Sequence, residues 1–192
     1  MPNNSSTGGY ILPSSGPPYG DTLDDIFHDL TAGLTGIANS LIRPRWQPEP
    51  PNQPDFTTDW VAFGLTINDR DRFVYANHDP TIGNGVDYVE RDEQIKVLHS
   101  FYGPNSSSLL AAYANNISVD QNRDALMAFG IKLVEVSEAT TLPALLKEKW
   151  VKRYDCTTTF RRRIRLTFPV FTILSSKTML DNEKYVTTIN VP

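Results

Sequence analysis

Four arginines within five positions, Arg161, Arg162, Arg163 and Arg165, are the densest chemistry that the sequence offers. Guanidinium groups so close together repel one another unless water, anions or facing carboxylates answer them. Three readings stay open: a solvated strand face, a contact with an acidic subunit surface, or a sequence-independent contact with the phosphates of DNA. A second group, Asp69, Asp71, His78 and Asp79, holds metal-ligand residue types, yet its spacing matches no standard site. Solvated loop carboxylates are its simpler reading, and a small metal-dependent hydrolase or nuclease is the enzymatic alternative. The single cysteine, Cys156, has no histidine near it in sequence and no partner for an intrachain disulfide, so it reads as a buried structural thiol. His99 falls on an apolar stripe, where a hydrogen-bonded core histidine is the plain expectation. His28, beside Asp24, Asp25 and Asp29, reads as solvated. No Gly-rich phosphate loop, HExxH, GxSxG, CxxC or DxDxDG occurs, so no catalytic, cofactor-binding or metal-binding residue is assigned.

The arginines need an element to present them. From Lys147 to Phe168 a period of two puts Trp150, Tyr154, Cys156, Phe160, Ile164, Leu166 and Phe168 on one face, and Arg161, Arg163 and Arg165 on the other. That predicts one long strand, apolar on one side and basic on the other. Lys152 and Arg162 interrupt the apolar side, which predicts that part of it meets a partner or an edge instead of a dry core. Strands seldom exceed roughly ten residues, so this one must bend at a bulge or leave the domain.

Around it the chain reads as a mixture of strands and helices. Leu23, Ile26, Phe27, Leu30, Leu34, Ile37 and Leu41 recur at helical spacing, predicting a helix over 22–42 with Thr22 and Asp25 as a capping box. Gly33 and Gly36 inside it suggest close approach of another backbone. Five prolines over 43–58 predict an unpaired, extended strap with Trp46 and Phe56 as anchors. Strands follow over 59–68, where Gly64 suggests a helix packed close, and over 88–102, whose acidic start, Glu90, Asp92 and Glu93, would face the arginines on a neighbouring strand or subunit. Residues 69–87 read as a polar stretch with a turn at Asn84-Gly85. Further helices are predicted from Asn105 or Ser106, with Leu109, Leu110, Tyr113 and Ile117 as the buried stripe, and over 120–129. A short strand follows over 131–136, then a polar loop leads into the long strand. Phe171–Leu174 continues briefly. Alternation at Tyr185, Thr187, Ile189 and Val191 predicts one more strand, possible to pair on another chain.

Composition bounds the class. A chain of 192 residues, 40% apolar, supports one core. The fold class expected is α/β in its α+β form, a mixed and largely antiparallel sheet with helices on one side and extended N- and C-terminal arms. Residues 1–20 form the N-terminal arm, with Tyr10, Ile11, Leu12 and Tyr19 able to pack; residues 21–174 form a single domain; residues 175–192 form a C-terminal arm or edge strand. A net charge of −4 argues against a free nucleic-acid-binding protein. No apolar window approaches membrane-spanning length, so no membrane partner is expected, nor a signal peptide.

The order RPRWQPEPPNQP, DW, FYGPN before a helix, QNRDALMAFGI and LLKEKWVKRYDCTTTFRRRIRLTFPV resembles, from Arg43 to Val170, the neck or tail terminator proteins of tailed bacteriophages. The resemblance implies a compact α/β subunit of a ring, usually hexameric, that caps the tail tube and meets the head-completion proteins of the neck. It implies no enzyme and no cofactor. Its expected partners are copies of itself, tail tube and sheath proteins, neck proteins and passing DNA, in a virion assembled in the host cytoplasm. Arg161, Arg163 and Arg165 match the family's basic strand and Trp46 its proline-rich connector; with Tyr10 they are the candidate contact residues. Another neck or connector subunit, such as a head-completion adaptor, is the structural alternative.

Overall fold

The structure is a computed structural model that describes residues 3–49, 51–146, 148–179 and 186–190. The elements in order are α1 (Asp21–Thr35), a 3-10 turn (Asn39–Leu41), β1 (Ile42–Pro44), β2 (Trp60–Arg70), β3 (Tyr75–Asp79), β4 (Val86–Tyr102), α2 (Ser106–Asn116), α3 (Asp120–Met127), β5 (Ile131–Val136), β6 (Thr140–Thr141), β7 (Ala144–Leu146), β8 (Lys149–Val151), β9 (Arg153–Phe168), β10 (Ser175–Met179) and β11 (Val186–Asn190). The main sheet runs β1-β2-β4-β9-β5, with β3 added on β4 and β6 on β9. β1 is parallel to β2, while β2/β4, β3/β4, β5/β9 and β6/β9 are antiparallel. This is the expected mixed, mostly antiparallel α+β architecture.

The chain falls into two compact units. The larger comprises Pro17–Arg72 and Arg91–Ile164. In it Leu23, Phe27, Leu30 and Leu34 of α1, Tyr113 of α2, Ile117 just beyond its end and Leu126 of α3 all pack on one face of the sheet, against Val61, Phe63, Ile95, Val97, Phe101 and Phe160. Each large apolar side chain so buried contributes about 1.5–3 kcal/mol. Cys156 lies in this core, and burial pushes its thiol up to about 12. The opposite face carries a smaller cluster in which Trp60 stacks on Tyr102 at 4.1 Å, with Ala62 beside them. The second unit comprises Met1–Gly16, Phe73–Glu90 and Arg165–Pro192. Its hairpin, Tyr75–Asp79 against Val86–Glu90, turns through Gly85, and Ser14 and Ser5 donate backbone hydrogen bonds to the carbonyls of Thr167 and Pro169. β10 and β11 pair with each other.

Several expectations are corrected. α1 ends at Thr35, because Gly36 takes the left-handed conformation and its N–H caps Ala32 O. Its N-cap is Gly20, without a side-chain capping bond, and a Cβ on Gly33 or Gly36 would touch nothing. The strap is not wholly unpaired: Ile42–Pro44 forms an edge strand, the one place where a proline's missing N–H costs no ladder bond. Gly64 makes room for Trp46, not for a helix; a Cβ there would lie 2.7 Å from the indole ring. The long strand breaks at Lys152, leaving Trp150 exposed on β8, which pairs with β7 where a loop was expected. The polar stretch 69–87 contains β3, and Phe171–Leu174 lies outside any strand. Lys147, Tyr185 and Val191, named in the predicted strands, lie outside the described residues.

His99 is fully buried, its Nε2 lying 3.1 Å from Thr31 Oγ1, whose hydroxyl in turn donates to Phe27 O. That chain of bonds makes Nε2 the protonated nitrogen of a neutral ring. Burial pushes the imidazole down to about 3 from its ordinary 6.5, with the charge of Arg45 adding to the effect. Between those pH values the unfolded chain binds a proton that the folded chain refuses, so stability rises with pH across the window. Unfolding free energy measured by denaturant titration should therefore fall as pH drops from 7 toward 4, by up to about 1.4 kcal/mol per unit. His99→Gln should flatten that slope.

Candidate functional site

The arginines and the acidic start of β4 meet inside one chain. Arg161 Nη2 donates to Asp92 Oδ2 at 2.6 Å and Arg163 Nε to Asp92 Oδ1 at 3.2 Å. Arg165 pairs with Glu90 and lies over the Tyr88 ring at 4.8 Å. These three side chains stay more than half exposed, at 56%, 69% and 61%, so their charge still faces solvent. The hydrogen bond from Arg163, reinforced by Arg161 and opposed by partial burial, holds the Asp92 carboxyl below the usual carboxylate range.

Arg162 points the other way, into the protein. Its side chain and that of Glu93 are both fully buried. Nε donates to Glu93 Oε1 at 2.5 Å; Nη2 lies equally near that oxygen but is turned too far for a hydrogen bond, and makes an ion-pair contact instead. Nη1 donates to Pro18 O at 2.9 Å. Glu93 Oε2 accepts from the Tyr19 hydroxyl at 3.1 Å and lies 3.6 Å from Arg70 Nε. The Tyr19 ring sits 4.7 Å from the Arg162 guanidinium. Arg162 thus fills a charged core site beneath the segment that enters α1, not a partner-facing edge, and Tyr19 packs on its own chain. The expectation that Glu90, Asp92 and Glu93 face the arginines holds on the neighbouring strand of the same chain; what sequence reasoning did not give is that Glu93 and Arg162 pair inside the core. The signal was present, since Glu93 shares the parity of Ile95, Val97 and Phe101, and Arg162 that of Phe160 and Ile164.

Among the described residues, the other candidates make no hydrogen bond or ion pair to Arg162 or Glu93. Trp46, at positive φ, rests on Gly64 yet is 72% exposed, and Tyr10 is 93% exposed. His78 bonds Asp87 at 2.6 Å and Thr172 at 2.9 Å. Asp79 accepts from the Thr81 N–H and hydroxyl, which hold its carboxyl low. No group of three metal-ligating side chains forms among the described residues.

Charged side chains here bind one another and tie strands together, while Trp46 and Tyr10 stand in solvent. The chain belongs to the phage neck terminator protein family, whose model matches residues 21–187. The match begins well before the resemblance at Arg43 and takes in α1. It makes the chain a structural protein of the phage neck, located in the virion and working with other neck and tail proteins. No curated protein matches the chain.

Removing one member of the buried pair leaves the other an uncompensated charge. Arg162→Met should lower unfolding free energy by about 3–5 kcal/mol. Replacing both members, in Arg162→Met with Glu93→Leu, should recover much of that loss in the same denaturant titration.

Proposed function

We propose that this protein is the ring-forming terminator of the phage tail, a hexamer of identical copies that caps the tail tube and joins it to the head-completion proteins. The observation that carries the reading is the family match over residues 21–187. The surface supports it. β4 and β9 run for 17 and 16 residues but lie inside the sheet, most of their length paired by β2, β3, β5 and β6 of the same chain, so what is left for other copies is side chains and not long strand edges. Large apolar side chains stand in solvent: Tyr10, Phe73, Trp46, Trp150, Ile173 and Leu174 are each more than two thirds exposed. A closed assembly covers such groups.

In this reading residues 21–174 form the terminator domain and residues 175–192 reach a neighbouring subunit, while in the arm at 1–20 Ser5, Ser14, Pro18 and Tyr19 bond within the chain and the exposed Tyr10 and Leu12 are what neighbours meet. Trp46 and Tyr10 contact partners, and Arg161, Arg163 and Arg165 meet an acidic subunit surface or passing DNA. Because Asp92 and Glu90 already answer these arginines, any attraction for DNA is shallow and sequence-independent. The role is mechanical, with no catalytic step, and the rings form in the host cytoplasm before joining tube, sheath and neck.

Native mass measurement of the purified protein should return a hexamer, and negative-stain images with tail tubes should place it at tube ends. A strict monomer that never associates with tube ends would contradict the assignment. Each contact of a stable ring should bury about 1,600 Å² or more.

A further inference from the structure

The chain separates its charges. Residues 1–42 hold no lysine or arginine and four aspartates, Asp21, Asp24, Asp25 and Asp29; the remaining 18 acidic residues balance all 18 basic ones. The whole formal charge of −4 is therefore concentrated on α1, mostly in its first turns. Asp24 shows the crowding, since partial burial and then the charges of Asp21 and Asp25 raise its carboxyl above the ordinary range.

The opposite imbalance lies where β5 meets β9. Lys132 and Arg161 are direct cross-strand partners, a like-charged pair that weakens a sheet unless an anion answers it. They border a hollow of about 460 Å³, lined also by Arg163, Asp92, Gly130 and Val134. Four cations, Lys132, Arg161, Arg162 and Arg163, line it with one carboxylate; Glu93 answers Arg162 from within and Asp92 engages Arg161 and Arg163, which leaves Lys132 with no ion pair among the described residues. The two surfaces belong to opposite sides of the sheet. Phe160, beside Arg161, packs on Phe27 of α1 at 4.9 Å, so the alternation of side chains turns Arg161 and Arg163 to the side away from α1.

We propose that the acidic first turns of α1 in one copy dock against the Lys132–Arg161–Arg163 hollow of the next, as the repeating contact of the ring. Complementary patches on opposite sides of one chain cannot satisfy each other within it. They join copies head to tail, the type of contact that closes into a ring. Charge complementarity then sets register and speeds encounter, and the contact weakens as salt rises. The proposal rests on the ring reading and assigns its contact.

Two charge-reversed proteins test it. One carries Lys132→Glu with Arg161→Glu, the other Asp21→Lys, Asp24→Lys and Asp25→Lys. Each alone places like charges across every contact and should assemble roughly tenfold or more weakly than the unaltered protein, read by analytical ultracentrifugation. Mixed in equal amounts they should form alternating rings, because every contact in such a ring is again complementary, and that recovery also shows both variants to be folded. Rings of unaltered mass from either variant alone would overturn the assignment while leaving the ring intact. So would failure of the mixture when both variants melt cooperatively. Loss of DNA-fragment binding by Lys132→Glu with Arg161→Glu, with assembly unchanged, would assign the hollow to nucleic acid instead. An unaltered protein that stays monomeric would remove the ring and the contact together.

Discussion

A buried ion pair, Arg162 with Glu93, is the constraint that the rest of the larger unit satisfies. Two full charges removed from water are best tolerated when their remaining hydrogen-bonding groups are met as well, and here, Arg162 Nη2 excepted, the supply comes from several directions. Pro18 O takes one guanidinium N–H, the Tyr19 hydroxyl and Arg70 share the far carboxylate oxygen, and the Tyr19 ring covers the guanidinium. The pair ties β9 to β4, and through Pro18 and Tyr19 it fixes the point at which the chain enters α1. A hydrophobic pair of similar size could hold the strands equally well, but it would not select the register and the entry path that these directed bonds specify.

Alternation converts that constraint into a surface. If Arg162 must point inward, Arg161 and Arg163 must point outward, and Asp92, next to Glu93 on β4, is turned out to meet them. Inside, opposite charges cancel in pairs. Outside, cations outnumber carboxylates locally, and aromatic groups such as Trp46 and Trp150 remain uncovered. A neck protein has to be stable before assembly and adhesive during it. Separating a buried charge pair from solvent-exposed arginines meets both demands within a few residues of one strand.

Much of this was legible in the residues, and the failures have physical causes. Period-two patterns gave β2, β4 and β5 closely, and helical spacing gave α2 and the buried face of α1. Cys156 and His99 were readable as core groups from the company they keep. What periodicity cannot show is where backbone geometry ends an element: Gly36 stopped α1 by its left-handed conformation, although apolar spacing continued to Leu41. Nor does composition reveal a partner from far along the chain. Gly64 announced a close neighbour, but nothing local said that it would be the indole of Trp46. At the arginine strand the residues were right and the role of one was inverted. Arg162, read as a blemish on an apolar face, is a charge whose burial required Glu93, and the matching parity of β4 held that information.

As a subunit of the proposed closed ring between tail and neck, this chain should show in electron cryomicroscopy of the intact particle at side-chain resolution as density repeated around the tail axis at the last layer of the tube, each copy touching its two neighbours. Finding the chain as an isolated copy, or at another station of the particle, would contradict the proposed ring.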